Sequence, residues 1–330
     1  MNYILGIEST AHTFGCAILD FDGKILSNAA DSYITESGGM IPLEVRKHHN
    51  EVAPKTYKKA LTDAKITEDK IKVIALSNAP GLAPCLLEGM AFAKDLAKKL
   101  NIPIVQVNHC VAHLEIGEIT GAKDPVLLYA SGANTQIIAY EAGKYRVFGE
   151  TLDIGIGNFI DTIARHAGLG FPGGPKIEKL ALSCKNKEEL LDLPYTIKGM
   201  DISFSGLQTQ IKNHIDKKVS LGKISYSMQE IVFAMLVEAA ERALAHTGKT
   251  ELLLGGGVAC NARLQEMCKI MCKERGAKFF CPPKPLLVDN AAMIGYLGLK
   301  MFKAGLAEKN LDNVDISPRE RTDDVEVSWR

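Results

Sequence analysis

Short apolar runs broken by small polar turns open the chain and predict three consecutive strands. These runs cover residues 3–8, 15–19 and 24–28. The Asp-Phe-Asp-Gly turn at 20–23 is typical of a hairpin. The same arrangement recurs over residues 126–130, 136–140 and 145–149. A repeated strand, polar loop, strand, turn and strand indicates that the fold is built from two copies of one unit.

Apolar residues at helical spacing follow each strand unit. We predict helices over residues 45–64, from the turn at 78–82 through 99, from about 261, and over 289–302. Single strands are predicted over residues 73–77, 102–107 and 251–254. The stretch from about 310 is polar and is predicted to be irregular.

Helices that alternate with strands in a duplicated unit predict an α/β protein. We expect two ribonuclease-H-like lobes with a cleft between them. The first lobe is placed at 1–124, with the C-terminal helix and tail (296–330) packing on it. The second lobe is placed at 125–295.

A histidine pair lies where the strand predicted at 102–107 gives way to a helix, in the sequence Asn108-His109-Cys110-Val111-Ala112-His113. Residues four apart share a helix face, so both imidazoles could reach one point, as transition-metal ligands do. Two ordinary histidines at a helix start would give the same pattern. Zinc peptidases with this spacing carry a glutamate base, where this chain has Cys110.

Small polar loops follow the first strand of each unit and would face each other across the cleft. The second loop, residues 131–135, reads Ser-Gly-Ala-Asn-Thr, and Gly132 permits close approach of a ligand to the backbone. Backbone N–H groups of such loops could receive phosphate. Two hairpin loops that bind nothing are the alternative.

Several polar residues beside glycines could contact a ligand in the cleft. Asp161 and Glu178 fall in the first turns of predicted helices and could hold sugar hydroxyls; support of the helix dipole and a tight interhelix turn are the alternatives. Asn261 follows three consecutive glycines at 255–257, which favour a flat ligand over a turn alone.

Asp289 precedes the apolar helix at the end of the second unit. Its ordinary role would be that of a helix N-cap. If its carboxylate pointed into the cleft, it could complete a metal site with His109, His113 and Tyr129. Two nitrogens and two oxygens without sulfur form a hard donor set, and a phenolate would suit iron.

Composition sets limits on these possibilities. The 330 residues include 39 Lys plus Arg and 39 Asp plus Glu, so a nucleic acid would have to meet a local basic patch or be held with help from other subunits. The eight cysteines form no C-x-x-C pair, which favours free thiols in a reducing cytoplasm. We see no signal peptide or membrane-spanning run.

A set of short motifs resembles, in order and spacing, the universal tRNA threonylcarbamoyladenosine transferases, formerly named O-sialoglycoprotein endopeptidases. The motifs are Gly6-Ile7-Glu8-Ser9-Thr10, Pro80-Gly81-Leu82, residues 108–113, residues 129–136, Gly173-Gly174-Pro175, Phe204-Ser205-Gly206-Leu207, Gly256-Gly257-Val258-Ala259 with Asn261, and Asp289-Asn290. The resemblance covers nearly the whole chain. It is strongest to the archaeal form, which is the catalytic subunit of the KEOPS complex.

This resemblance implies a fold, a ligand set and a reaction. The fold is that of actin, sugar kinases and Hsp70. One metal ion, iron or alternatively zinc, would be bound by His109, His113, Tyr129 and Asp289. Threonylcarbamoyl-adenylate would meet Tyr129, Ala130, Ser131, Gly132, Ala133, Asp161, Gly174, Glu178 and Asn261. The family transfers the threonylcarbamoyl group to the exocyclic amine of the adenosine 3′ of the tRNA anticodon, and AMP is released.

The partners that the resemblance implies are tRNA, a small kinase-like ATPase and a small dimerising subunit. In some archaeal relatives the chain continues into a kinase domain. Alanines stand at Ala133 and Ala291, where the family commonly has glycine. Ala133 would be unstrained only at negative φ.

Two questions stay open at the level of sequence. Glu8 is the one candidate for a general base, because it ends the first strand, although a structural or water-holding role would fit equally well. A metallopeptidase and an Hsp70-type binding module are the competing functions. The missing glutamate opposes the first, and an ATP switch would not require two histidines.

Overall fold

The computed structural model describes residues 2–35, 40–184 and 189–330. Its strands are β1 (Tyr3–Glu8), β2 (Thr13–Asp20), β3 (Ile25–Ser32), β4 (Ile71–Ala79), β5 (Ile104–Asn108), β6 (Val126–Ala130), β7 (Thr135–Glu141), β8 (Lys144–Glu150), β9 (Ile197–Lys198), β10 (Asp201–Ile202), β11 (Glu251–Gly255) and β12 (Lys278–Phe280). The helices are α1 (Pro42–Ala64), α2 (Ala83–Leu100), α3 (His109–Glu115), α4 (Ile156–His166), α5 (Gly174–Leu182), α6 (Ser205–Asp216), α7 (Leu221–Thr247), α8 (Ala262–Arg275), α9 (Lys284–Leu287) and α10 (Ala291–Lys303).

Two five-stranded sheets have the same topology. The first has the order β3-β2-β1-β4-β5, and the second has the order β12-β11-β6-β7-β8. In each sheet the first three strands along the chain are antiparallel neighbours, and the two later strands run parallel to the first. The duplicated α/β architecture predicted from the recurring strand pattern is therefore confirmed.

The helices form layers around the two sheets because each helix buries one apolar stripe. Helices α1 and α2 cover one face of the first sheet. Helices α3 and α10 pack on its other face, in an apolar cluster that also includes side chains of the second sheet. Helices α4 to α8 belong to the cluster on the far side of the second sheet. The predicted histidine helix therefore lies between the two sheets.

A close contact between helix α10 and strand β1 joins the end of the chain to its beginning. A Cβ atom added at Gly6 would lie 2.2 Å from the carbonyl oxygen of Ala291 and 2.7 Å from the nitrogen of Gly295. Only glycine fits at such an approach. The packing of α10 against β1 thus explains why the motif Gly6-Ile7-Glu8 begins with glycine.

The polar tail after α10 follows an irregular path, as predicted, apart from short 3-10 turns at Leu311–Asn313 and Thr322–Asp324. It contacts both sheets. Glu320 accepts a hydrogen bond from the Asn108 amide at 2.8 Å, and Arg321 donates to Glu150 of β8 at 3.1 Å. The tail therefore joins the two sheets beside the start of α3.

Candidate metal centre and nucleotide cleft

The histidine helix begins at its first histidine because Asn108 caps it. The Asn108 side-chain oxygen accepts hydrogen bonds from the backbone N–H groups of Cys110 and Val111, at 3.0 and 3.2 Å. His109 and His113 then lie one turn apart, and their ring centroids are 4.8 Å apart. Both side chains are almost completely buried.

Asp289 faces these histidines and does not cap a helix. The N-cap of α10 is Asn290, whose side chain accepts from the backbone N–H of Met293 at 3.0 Å. This arrangement leaves the Asp289 carboxylate directed at the imidazoles. Its Oδ1 lies 3.3 Å from Nε2 of His109 and 3.6 Å from Nε2 of His113. The N-cap alternative for Asp289 is therefore wrong.

These three side chains fit a metal ion. One ligand atom from each of His109, His113 and Asp289 lies within 4.8 Å of the other two. Among the described residues, neither ring nitrogen of buried His113 has a hydrogen-bond partner, which is costly unless a ligand satisfies it. Donor atoms that share one ion at about 2.1 Å stand about 3 to 4 Å apart. The group could hold a metal ion.

The charges in this group are strongly coupled. Burial alone would lower the pKa of His109, but the carboxylates of Glu8 and Asp289 outweigh it and raise that pKa well above its usual range. Burial alone would raise the pKa of Asp289, but His109 outweighs it and holds that pKa well below normal. Burial lowers the pKa of His113. These directions favour an ionised Asp289 and a neutral His113, as metal binding needs, and a protonated His109, whose proton a metal ion would have to displace.

Tyr129, the last but one residue of β6, lies directly against the histidines. Its ring centroid lies 4.8 Å from that of His113, and its side chain is buried. Burial, followed by the nearby Cys110 and Asp289, raises the pKa of the phenol well above its usual range. The structure thus brings Tyr129 to the same cluster as His109, His113 and Asp289.

Glu8 lies behind His109, away from solvent. Its Oε2 is 3.0 Å from Nδ1 of His109, and its Oε1 accepts from the backbone N–H and the hydroxyl of Thr10, at 2.7 and 2.5 Å. The side chain is fully buried. Both oxygens are engaged, and a carboxylate on Nδ1 leaves Nε2 directed at Asp289, as in carboxylate–histidine–metal arrangements.

The loop after β6 offers two exposed backbone donors. Within it, Ser131 N–H donates to the carbonyl of Asn134, and Asn134 N–H reaches the Ser131 hydroxyl. Gly132 and Ala133 are exposed, and their N–H groups have no acceptor among the described residues. Ala133 is not among the described residues with positive φ, so its methyl group causes no strain.

Helix α4 begins against the back of this loop. Added Cβ atoms at Gly155 and Gly157 would lie 2.4 Å from the Ala133 carbonyl oxygen and 2.7 Å from the Gly132 Cα. These two glycines thus allow close packing and do not themselves face a ligand. Asp161, further along α4, accepts from the backbone N–H of Gly173 at 2.7 Å. It therefore fixes the turn before α5, and the helix-dipole explanation does not account for it.

Glu178 and Asn261 lie close together where α5 meets the start of α8. Glu178 accepts from the backbone N–H of Ala262 at 2.9 Å, and Asn261 caps α8 while its amide donates to Gln229 at 2.9 Å. Gly174 is open, since a Cβ there would touch nothing within 4 Å. The predicted Asp161, Gly174, Glu178 and Asn261 are therefore linked through α5 and the start of α8.

The three glycines at the end of β11, residues 255–257, are needed for different purposes. Gly256 has φ of +89°, and a Cβ there would lie 2.3 Å from the Ala130 carbonyl oxygen. A Cβ at Gly255 would lie 3.0 Å from a Leu127 methyl group. Gly257 alone faces open space. Packing thus explains two of the glycines that sequence reasoning attributed to a ligand.

Two side chains that contact predicted site residues were not expected from the sequence. The Thr10 hydroxyl lies 3.3 Å from Nδ1 of His109, and Gln229 holds the Asn261 amide. Thr10 belongs to the motif Gly6-Ile7-Glu8-Ser9-Thr10, so the sequence did indicate that it lies near the site. Gln229 is one polar residue in the long helix α7, and nothing in its neighbourhood of the sequence singles it out.

Comparisons with known proteins identify the family of this chain. Residues 24–296 match the family described as TsaD, tRNA N6-adenosine threonylcarbamoyltransferase. The chain is 53% identical to the protein of that name from Thermococcus sibiricus, over 98% of this chain and 99% of the relative. It is 50% identical over 99% of its length to a probable bifunctional tRNA threonylcarbamoyladenosine biosynthesis protein of Methanosarcina mazei, of which it spans 59%.

A solved structure supports the fold independently. The crystal structure of (R)-2-hydroxyglutaryl-CoA dehydratase component A from Acidaminococcus fermentans superposes with a TM-score of 0.56 at 12% identity, covering 91% of this chain and 98% of that one. At this identity the likeness concerns the fold alone. The family match over residues 24–296 and the 53% identity to the full-length Thermococcus sibiricus relative show that this protein belongs to the TsaD family of tRNA N6-adenosine threonylcarbamoyltransferases.

Proposed function

We propose that this chain transfers the threonylcarbamoyl group from threonylcarbamoyl-adenylate to the exocyclic amine of the adenosine 3′ of the anticodon in tRNA, and releases AMP. The proposal rests on the buried group of His109, His113 and Asp289 beside the loop at 131–135, which is partly exposed. It also rests on the full-length relative from Thermococcus sibiricus, which is named tRNA N6-adenosine threonylcarbamoyltransferase. The cleft would lie between a first lobe, 1–124 with the C-terminal helix and tail at 296–330, and a second lobe, 125–295.

For the metal we propose iron, with zinc as the alternative. Two imidazoles, a carboxylate and the Tyr129 phenol form a donor set without sulfur, and a phenolate oxygen favours iron. When bound, the ion would supply Lewis acidity toward a carbonyl or carboxylate oxygen of the substrate. We propose that Glu8 positions His109 through its Nδ1 and is not the general base, because both carboxylate oxygens are engaged.

The donor's adenylate would lie along the second lobe. We propose that the exposed N–H groups of Gly132 and Ala133 bind its phosphate. Asp161, Gly174 and Glu178 would surround the ribose, and Asn261 would lie near the base. Ser131, Ala130 and Tyr129 would line the cleft below. The threonyl end would then point to the metal group, where β6 and α3 meet.

The reaction itself is an acyl transfer between bound reactants. The amine nitrogen forms a bond to the carbamoyl carbon while the bond from that carbon to the phosphate oxygen breaks, and AMP leaves with the electron pair. The amine is part of an aromatic system and is a poor nucleophile, so holding it next to the carbonyl carbon contributes most of the rate. No described residue is assigned as the base that takes the amine proton.

We further propose that the protein works in the cytoplasm with two partners, a kinase-like ATPase and a small dimerising subunit of the KEOPS complex. The name of the Methanosarcina mazei relative supports a fused second activity in that protein. Among the described residues of this chain, no helix is long and apolar enough to cross a membrane.

The proposed reaction is tested with a preformed donor. Purified protein, alone and with both partners, is mixed with threonylcarbamoyl-adenylate carrying labelled threonine and with unmodified tRNA. Because the chain has no net charge, we expect weak, salt-sensitive tRNA binding by the chain alone and efficient transfer only with the partners. Failure of the complete assembly to label that adenosine would refute the proposed function.

A second prediction concerns the nucleotide. AMP is expected to raise the melting temperature of the protein, because a ligand that binds only the native state stabilises it. Glu178→Ala and Asn261→Ala should each reduce the rise, whereas Glu189→Ala, an exposed position outside the cleft, should leave it unchanged. Equal protection by GMP would contradict the contact proposed for the adenine base.

A further inference from the structure

A groove of about 420 Å³ opens on the edge of the second sheet. Helix α8, strand β12 and the loop that leads into α9 form its walls. The residues that matter for its chemistry are Cys260, Lys269, Phe279, Cys281, Pro283 and Lys284. Neither the metal group nor the cleft residues discussed above belong to its lining.

The groove is positively charged within a chain that has no net charge. Lys269 and Lys284 line it, and none of the described aspartates or glutamates does. Within ranges 2–35, 40–184 and 189–330, neither ammonium group forms an ion pair, whereas Lys249 and Lys300 each pair with carboxylates. Unpaired cations that converge on one concave surface favour an anionic ligand.

The groove also offers flat apolar surfaces. The partly buried Phe279 ring lies in its wall, and the Lys269 ammonium lies over that ring, 5.6 Å from its centroid. Pro283 adds a second rigid apolar face. An aromatic ring with nearby cations is the combination that binds single-stranded nucleic acid, because bases stack on the ring while the cations contact phosphates.

The location of the groove relates it to the reaction. Cys260, in its wall, directly precedes Asn261, the residue that caps α8 beside Glu178. Lys284 begins α9, and that short helix leads directly to Asp289. The groove therefore adjoins Asn261 along the chain, and its α9 wall ends two residues before Asp289.

We propose that this groove binds an unpaired nucleotide of the tRNA anticodon loop, next to the adenosine that is modified. Its base stacks on Phe279, and its flanking phosphates contact Lys269 and Lys284. This inference rests on the proposed transfer reaction and adds to it the surface that receives the acceptor. It also explains how a chain with equal numbers of acidic and basic residues can orient an RNA.

The test uses the complete assembly and unmodified tRNA. The double variant Lys269→Ala/Lys284→Ala is expected to bind tRNA at least about tenfold more weakly, and the slope of log affinity against log salt should become less steep by about one to two. Phe279→Leu should weaken binding with the slope unchanged, because it removes stacking and no charge. The matched control is Lys273→Ala/Lys278→Ala, which removes two exposed lysines of α8 and β12 that do not line the groove.

A second measurement reports on the groove without mutation. Cys260 and Cys281 line it, and both thiols are partly exposed. Bound tRNA should slow their alkylation by iodoacetamide, read by mass spectrometry, and should leave the alkylation of Cys184 unchanged. Equal alkylation of Cys260 and Cys281 with and without saturating tRNA would overturn the proposal.

The outcomes separate this inference from the proposed function. If the parent assembly modifies tRNA and the Lys269/Lys284 variant binds and modifies it equally well, the groove is not the acceptor site and the function stands. If the variant keeps tRNA affinity but no longer co-purifies with a partner, the groove is a protein interface and the inference is wrong. If the parent assembly modifies no tRNA, the function itself fails. The AMP-induced rise in melting temperature confirms that each variant is folded.

Discussion

Replacing His113 with alanine is expected to remove most of the metal from the purified protein and to lower threonylcarbamoyl transfer about a thousandfold. The imidazole is buried, neither of its nitrogens has a hydrogen-bond partner in the part of the chain that the structure describes, and its Nε2 stands 3.6 Å from Oδ1 of Asp289. A Lewis acid contributes several kcal/mol to such a reaction, and about 4 kcal/mol corresponds to a factor of about a thousand. Metal content by mass spectrometry and labelled-threonine transfer are the two measurements.

Two further variants complete this experiment. Asp289→Asn keeps the size of the side chain and removes its charge, so it should lose metal without a packing defect. His166→Ala, at a partly exposed histidine that pairs only with Asp216 in the described residues, is the matched control and should change neither readout. Metal occupancy equal to the parent in His113→Ala, or full transfer by Asp289→Asn, would rule out the metal-assisted mechanism.

The fold could be predicted wherever the polarity of the chain changes abruptly. Strands β1 and β6 have the predicted limits, because each apolar run ends at a small polar loop. Strand β3 extends to Ser32, beyond the predicted residue 28, because it lies at the sheet edge and pairs with β2 through polar and small residues. Such residues carry no apolar alternation, so only the pairing partner reveals the strand.

In the candidate site, too, local sequence patterns predicted some residues and not others. The His109 and His113 pair could be predicted because helical spacing is a local property. The choice between Asp289 and Asn290 as cap could not, since both residues suit that position and only the packing of α10 decides. The Glu8 contact with His109 spans 101 positions, and no local pattern predicts it.

Helix α3 also carries a buried carboxylate that joins three parts of the chain. Glu115 is fully buried, and its Oε1 accepts from the Tyr145 hydroxyl and from the Arg330 guanidinium, at 2.5 and 2.7 Å. Its Oε2 pairs with Lys300 of α10. Burial alone would raise the pKa of Glu115, but Arg330 and Lys300 outweigh it and lower that pKa. The carboxylate therefore stays ionised and holds the tail, α10 and β8 around α3.

Replacing Glu115 with alanine is expected to destabilise the protein by about 3 to 5 kcal/mol, because it leaves two largely buried cations without their common partner. Glu118→Ala is the matched control. Glu118 also pairs with Lys300, at 2.7 Å, but its side chain is 32% exposed, so its loss should cost at most about 1 kcal/mol. Urea unfolding followed by circular dichroism measures both.

The ion pair between Glu115 and Arg330 allows a second test, in which one variant compensates for the other. If Glu115 acts through Arg330, then Arg330→Met added to Glu115→Ala should recover part of the lost stability, since the double variant no longer buries that unpaired guanidinium. A purely steric role for Glu115 predicts no recovery. If Glu115→Ala and Glu118→Ala lowered the free energy of unfolding equally, burial of the Glu115 carboxylate would contribute nothing to stability. The role assigned to Glu115, holding the tail, α10 and β8 around α3, would then be abandoned.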